Sequence, residues 1–187
     1  MAADDNRKSD CDIMMKTILL AASLCAAVFS SSLSAARAET AADFLKSLEG
    51  NYTGRGNAVV IGDETTKISC KLANSFDASA KALKVSGNCA STKGKGVING
   101  KVVANGDEVS GSFVSTRKDV RVTKTSGQVS GKSMVLSSSM VENKTGNLIR
   151  VRQQVSRTGN GIKAVFYAFD SKTQKYKPAG SINLKKR

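Results

Sequence analysis

The sequence predicts an all-β domain, an antiparallel up-and-down meander of about eight or nine short strands closed into a small barrel. After residue 50, apolar and polar residues alternate with a period of two, and clusters of Gly, Asn and Asp interrupt the alternation. The triplet Val-Ser-Gly recurs at Val85, Val109 and Val129, a spacing of about one hairpin per repeat. Closure removes the two edges of such a sheet, and a β-sandwich is the alternative architecture.

Residues 1–38 are predicted to be a secretory signal region that is removed. Lys16 precedes an apolar run over residues 18–29, and Ala36-Arg37-Ala38 has the small-x-small pattern of a cleavage site. The run is shorter than the roughly 20 residues that cross a bilayer, so we expect no transmembrane segment. The predicted mature chain, residues 39–187, is long enough for one domain, and we expect it to be periplasmic or secreted.

The chain is strongly basic, with 29 Lys and Arg against 15 Asp and Glu and a formal net charge of +14. The signal region holds four residues of each sign, so the whole excess belongs to residues 39–187. An exported protein meets anionic lipid headgroups, lipopolysaccharide phosphates and acidic glycans, so we expect such a partner and no nucleic acid. The alternative is a solvated basic surface that keeps the protein soluble.

The first predicted elements are a short helical lead over residues 41–48 and a hairpin stapled by one disulfide. Cys70 and Cys89, the two cysteines that follow the signal region, predict a bond in an oxidising compartment. Closing a loop of this length stabilises a fold by roughly 3 kcal/mol in the chain-entropy model. With Cys70 opposite Cys89, the antiparallel register pairs Leu72 with Gly87, Asn74 with Val85, and Phe76 with Leu83.

The next hairpin is predicted around Asn105-Gly106, the preferred two-residue type I′ turn. Folding about this turn places six residues on one inward face, as the pairs Val102 with Val109, Gly100 with Gly111, and Ile98 with Phe113. The opposite face is polar, which is typical of an antiparallel sheet with one solvated side.

Further strands are predicted over residues 120–126, 128–141, 148–157, 162–169 and 181–184. In the third of these, Ile149, Val151 and Val155 face inward, and Arg150, Arg152 and Arg157 form an outward basic stripe. In the fourth, Phe166 faces the core, and Tyr167 and Phe169 lie on the outer face, where they offer a contact for a partner or a lipid surface or are covered by the N-terminal segment.

Residues 44–54, Phe-Leu-Lys-Ser-Leu-Glu-Gly-Asn-Tyr-Thr-Gly, resemble the start of a calycin-type barrel, the group that contains lipocalins, avidins and small bacterial protease inhibitors. In that group a short helical turn leads to a Gly-x-Trp on the first strand that plugs one end of the barrel. Gly50 and Tyr52 occupy these two positions, and the chain contains no Trp. The resemblance implies a barrel with a plugged end.

The absence of histidine restricts the possible chemistry. Neither a Ser-His-Asp nor a Cys-His nucleophile can be assembled, and imidazole metal sites are excluded. A disulfide also removes both cysteines as zinc ligands. Paired carboxylates, as in glycosidases, remain an option, but Asp63, Glu64, Asp107 and Glu108 lie next to predicted turns. We therefore expect no metal, no cofactor and no enzymatic activity.

The leading functional hypothesis is a non-enzymatic cell-envelope protein that binds an anionic or amphiphilic ligand, such as a lipid, lipopolysaccharide or an acidic glycan, through the barrel mouth and a basic rim. The candidate binding residues are Arg55, Arg150, Arg152, Arg157, Tyr167 and Phe169. The alternative is a protein–protein interaction scaffold, such as a protease inhibitor or an envelope-assembly partner, with a filled interior and a projecting loop at residues 91–96.

Overall fold

A computed structural model describes residues 39–59, 65–92, 94–114 and 120–187, with the side chains of residues 113, 114 and 120 left outside the description. The predicted signal region and its cleavage site lie outside these ranges. The described ranges contain one helix, α1 (Ala41–Ser47), and ten strands: β1 (Gly50–Val59), β2 (Thr65–Asp77), β3 (Ala82–Ser91), β4 (Gly94–Asn105), β5 (Glu108–Val114), β6 (Val120–Ser130), β7 (Ser133–Glu142), β8 (Leu148–Thr158), β9 (Gly161–Asp170) and β10 (Lys175–Lys186).

Each strand pairs antiparallel with the next in the chain, and β1 also pairs with β10, so the sheet is a closed barrel. The barrel prediction is confirmed over the sandwich, but the described ranges hold ten strands and the predicted eight or nine is wrong. Each alternating run forms its own strand because tight turns separate the runs. The boundary between β6 and β7 also differs from the prediction, because residues 128–130 belong to β6 and Gly131, with a φ of 53°, turns the chain into β7.

The barrel has two distinct ends. At the helix end lie α1 and the turns at residues 78–81, 106–107, 131–132 and 159–160. At the loop end lie the connections at residues 143–147 and 171–174 and the last residues of β1, β3 and β5. The predicted projecting loop at residues 91–96 is wrong, because Ser91 ends β3 and Gly94 begins β4, which leaves two residues as the connection.

Helix α1 closes the helix end, as the predicted helical lead and the plugged end imply. Thr40 caps the helix in a capping box with Asp43, whose backbone N–H donates to the Thr40 hydroxyl at 3.2 Å. Phe44, Leu45 and Leu48 are buried in the core, and α1 packs against β3, β4 and β6. A short helix gains its stability from such packing rather than from propensity alone.

The predicted register of the disulfide hairpin is confirmed. Cys70 pairs with Cys89 across β2 and β3 and forms the disulfide, and the predicted partners of Leu72, Asn74 and Phe76 are the observed ones. The alternation of the sequence fixes this register, because a slip of one residue would turn every apolar side chain outward.

The register of the next hairpin differs from the prediction. Asn105 pairs with Glu108, so the two-residue loop is Gly106-Asp107, and Gly106 has a φ of 62° at the first loop position. A glycine there is the requirement of a type II′ turn rather than type I′. Val102 therefore pairs with Gly111 instead of Val109. The shift is two residues, an even number, so the predicted inward faces are retained and Val102 and Val109 are both buried.

A bulge between Pro178 and Gly180 reverses the alternation of β10. Below the bulge, Ile182 and Leu184 are buried in the core. Above the bulge, Lys177 pairs with Ala168 and Lys175 pairs with Asp170. Ala168 and Asp170 continue the inward face of β9, so the two lysines paired with them lie on that face of the sheet as well. Proline tolerates this position because a bulge does not require its missing N–H. The bulge thus brings two lysines, named here the mouth lysines, to the loop end of the interior.

The seam where β1 meets β10 depends on a close approach at Gly54. A Cβ at Gly54 would lie 1.9 Å from the carbonyl oxygen of Asn183 on β10. We expect Gly54→Ala to lower the free energy of unfolding by about 1–3 kcal/mol, because the strands must separate to admit the methyl group. Gly159→Ala is the matched control, since a Cβ in that turn meets no atom within 4 Å. Equal urea midpoints for the two variants would contradict this description of the seam.

Candidate functional site

The interior of the barrel holds a cavity of about 210 Å³. Leu48, the residue that follows α1, lies at the helix end of the cavity, and the Cys70–Cys89 disulfide forms part of the cavity wall. Most of the remaining wall is aliphatic or aromatic and includes Ile68, Leu72, Val85, Ile98, Phe166 and Ile182. The cavity is smaller than the roughly 300–1,000 Å³ of pockets for drug-sized ligands, so it suits one narrow apolar chain or a single ring.

Asn74 is the buried polar residue in this wall, with 8% of its surface exposed. Its Nδ2 donates to the Leu48 carbonyl oxygen at 2.9 Å, which fixes the orientation of the amide. The Leu48 carbonyl lies past the last turn of α1, where helix carbonyls lack partners within the helix. The Asn74 Oδ1 atom is buried and accepts no hydrogen bond within the described structure. A donor on a ligand or an ordered water would satisfy it.

The mouth lysines lie one step beyond the cavity toward the loop end. Phe166 lines the cavity, and Ala168, the partner of Lys177, is the next position on the same face, about 7 Å along the strand. The Lys177 Nζ atom contacts the Asp170 carboxylate at 2.5 Å, and the Lys177 side chain is 61% exposed. This contact, together with the backbone N–H of Lys172, holds the pKa of Asp170 well below its usual range. The cavity therefore has an apolar wall and a basic loop end.

The outer face of β8, β9 and β10 carries a cluster of arginines and aromatic rings. The Arg150 guanidinium lies 5.2 Å from the Phe169 ring centroid, and the Arg152 guanidinium lies 4.2 Å from that of Tyr176. The Phe169 and Tyr176 rings contact edge to face at 5.3 Å. Tyr167 pairs with Arg152 across β8 and β9. These five residues are named here the Arg–aromatic face. Its two cation–π contacts hold the guanidinium groups against the wall.

Four of the six predicted binding residues, Arg150, Arg152, Tyr167 and Phe169, thus belong to one surface. Arg55 does not, because it pairs with Asn183 on the far part of β10 and lines a separate outer groove with Lys67. Asn183 is the seventh residue after Tyr176, a distance of about 23 Å along a strand.

The prediction that Arg157 belongs to the outward basic stripe is wrong. The period of two places Arg157 on the inward face of Val155, at the helix end. Its guanidinium binds the Glu39 carboxylate at 2.5 Å and lies 5.5 Å from the Phe44 ring centroid. Arg157 therefore holds the helical lead against the barrel and is not available to a ligand at the loop end.

Sequence reasoning missed two residues of these sites. Asn74 is an inward polar position among the apolar residues of β2, and the predicted register could have indicated its burial. Tyr176 was expected near Tyr167 and Phe169 but was not among the candidate binding residues, because the last predicted strand begins at residue 181, whereas β10 begins at Lys175. Pro178 interrupts the alternation there, so the pairing of Tyr176 with Phe169 had no signal in the pattern.

Two of the four carboxylates considered for the glycosidase alternative lie within the described ranges. Asp107 and Glu108 lie at the helix end, and Asp63 and Glu64 fall outside the description. Within the described residues, no three Cys, Asp or Glu side chains are grouped closely enough to hold a metal ion. In the same ranges, no helix has the length and apolar character of a membrane span.

These features define a class, the closed antiparallel β-barrels with a small apolar interior. Among solved structures, the chain is similar to the crystal structure of Rv2717c from M. tuberculosis, with 12% sequence identity and a TM-score of 0.57 over 77% of this chain and 97% of that one. No family model and no curated protein matches the sequence. At this identity the similarity concerns the fold alone, so the calycin-type resemblance is not confirmed at the level of a family.

Proposed function

We propose that this chain is a non-enzymatic, exported carrier of a small anionic amphiphile. The apolar part of the ligand occupies the barrel cavity, and its charged group lies at the loop end beside the mouth lysines. The observation that carries the proposal is the apolar cavity of about 210 Å³, which is bounded by α1 at one end and followed by Lys177 toward the other. A disulfide agrees with export, because such bonds persist in oxidising compartments.

The physical basis is the division of the interior into two environments. Burial of apolar ligand surface contributes about 25 cal/mol per Å², and an unhydrated apolar cavity gains contacts when a chain fills it. The carboxylate or phosphate of the ligand stays in water at the loop end, near Lys175 and Lys177. The lysines attract this group by their opposite charge, and because the group keeps part of its hydration, the cost of desolvating it is small. The unpaired Asn74 Oδ1 further favours ligands with a hydrogen-bond donor in the buried part.

The proposal is tested by isothermal titration calorimetry with decanoate below its micelle concentration. We expect one site per chain and at least a tenfold loss of affinity in Ala164→Leu, because Ala164 is buried in the cavity wall and the larger side chain fills the space. The matched control is Ala73→Leu, the same change at an exposed position of β2, which should bind as the unaltered protein does.

Decylammonium, with the same chain and the opposite charge, tests the role of the mouth lysines. We expect it to bind more weakly than decanoate. Equal affinity for the two probes would contradict the assignment of the charged group to the loop end, and equal affinity of Ala164→Leu and Ala73→Leu would contradict binding in the cavity.

A further inference from the structure

The positive charge of the barrel is concentrated in its C-terminal half. Residues 120–187, which form β6 to β10, contain 14 Lys and Arg but only two Asp and Glu. Residues 39–119 contain 11 Lys and Arg and nine Asp and Glu. Because consecutive strands are neighbours in the barrel, this difference along the chain becomes a difference between two walls. One wall is nearly neutral, and the other carries almost the whole excess charge.

Both carboxylates of the basic wall are engaged near the loop end. Asp170 binds Lys177, and Glu142 accepts a hydrogen bond from the Thr145 hydroxyl. The guanidinium groups of Arg150 and Arg152, in contrast, lie against aromatic rings. An aromatic face orients a guanidinium without neutralising it, so the two arginines keep their charge for an external anion.

An exposed apolar side chain extends this surface. Leu148 precedes Arg150 on the same face of β8 and is 53% exposed. It lies beside the connection at residues 143–147, at the loop end of the barrel. Basic residues combined with aromatic and aliphatic side chains are typical of surfaces that lie in a membrane interface, where the charges meet headgroups and the apolar groups enter the acyl boundary.

We propose that the Arg–aromatic face, together with Leu148, docks on an anionic phospholipid bilayer. The arginines bind headgroup phosphates through bidentate contacts, which suit the planar guanidinium group. Leu148 and the edges of Tyr176 and Phe169 enter the interface. This apolar contact favours a bilayer over a soluble acidic glycan, because a glycan has no acyl region for Leu148 to enter. This docking does not require a ligand in the cavity, and it brings the loop end of the barrel beside the membrane.

Co-sedimentation tests this docking with native protein purified from its own cells and vesicles of phosphatidylcholine alone or mixed three to one with phosphatidylglycerol. We expect binding only to the mixed vesicles at 0.1 M salt, with a steep loss at higher salt. Arg150→Gln/Arg152→Gln should weaken this binding about 30-fold, the effect of removing two charges near an anionic surface. Leu148→Ser should weaken it further, since burial of a leucine side chain is lost.

The matched control is Lys67→Gln/Lys71→Gln, which removes the same charge from exposed positions of β2 on the nearly neutral wall. This variant should retain most of the binding. Equal losses in the two double variants would overturn the docking face, as would equal binding of the unaltered protein to both kinds of vesicle. Binding to dextran sulfate that is as tight as binding to the mixed vesicles, and insensitive to Leu148→Ser, would overturn the bilayer in favour of a soluble polyanion. Decanoate titration of the same samples reports the cavity separately.

Discussion

Phe44→Ala is expected to lower the free energy of unfolding by about 3–5 kcal/mol, the range for removing a buried aromatic side chain. Phe44 is fully buried inside the helix end of the barrel, and Arg157 covers its ring. The substitution leaves a space that neighbouring strands cannot fill, because the closed sheet prevents them from moving inward independently. The loss also frees α1, which has seven residues and little stability of its own.

Urea denaturation followed by far-ultraviolet circular dichroism measures this effect. Lys46→Ala is the control on the same helix, because Lys46 is exposed and its removal costs only a few tenths of a kcal/mol through the helix dipole. If Phe44→Ala changed the unfolding free energy by less than about 1 kcal/mol, α1 would not be the plug of the barrel. Decanoate affinity should fall as well, because Leu48 of the same segment lines the cavity.

Cys70→Ala/Cys89→Ala is expected to lower the free energy of unfolding by roughly 3 kcal/mol. The disulfide closes a loop with a sequence separation of 19, and its loss releases chain entropy in the unfolded state. For a domain of this size, each kcal/mol corresponds to about 2–4 °C in the melting temperature. The variant should therefore melt about 6–12 °C below the oxidised protein.

Differential scanning calorimetry with and without dithiothreitol supplies the control. Reduced unaltered protein should melt close to the double variant, and dithiothreitol should not affect the variant. An unchanged melting temperature in the double variant would show that the hydrogen-bonded ladder of β2 and β3 holds this part of the barrel without the bond. A melting temperature that falls on reduction would indicate that the disulfide stabilises the fold, which is the role of a structural disulfide.

The barrel was predictable from the sequence where strands that are neighbours in the chain are joined by a short turn and alternate between apolar and polar residues. The pairing of Cys70 with Cys89 follows from two apolar runs and the turn between them, and the helical lead follows from the spacing of its apolar residues. The Gly106 turn was misjudged by one position because Asn-Gly and Gly-Asp both make two-residue hairpins. Backbone context, not composition, selects between them.

The candidate sites were less predictable because they depend on strands that are distant in sequence. Arg150 and Phe169 could be placed on one outer face from alternation alone. The face of Tyr176 depends on the bulge at Pro178, and a bulge leaves no periodic pattern in the sequence from which it could be predicted. The cavity was not predictable at all, since whether a barrel interior is filled depends on the number of strands and on side chains from every strand. The role of Asn74 becomes visible only when Leu48, the residue after α1, is placed beside it.

The most direct test of the carrier function is native mass spectrometry of protein purified from its own cells without detergent. We predict a retained ligand, one per chain, that organic extraction identifies as a small anionic amphiphile and that Ala164→Leu lacks. The same spectra should show that extracted protein takes up one decanoate. An unliganded mass before and after incubation with decanoate would contradict the claim that the cavity binds an amphiphile.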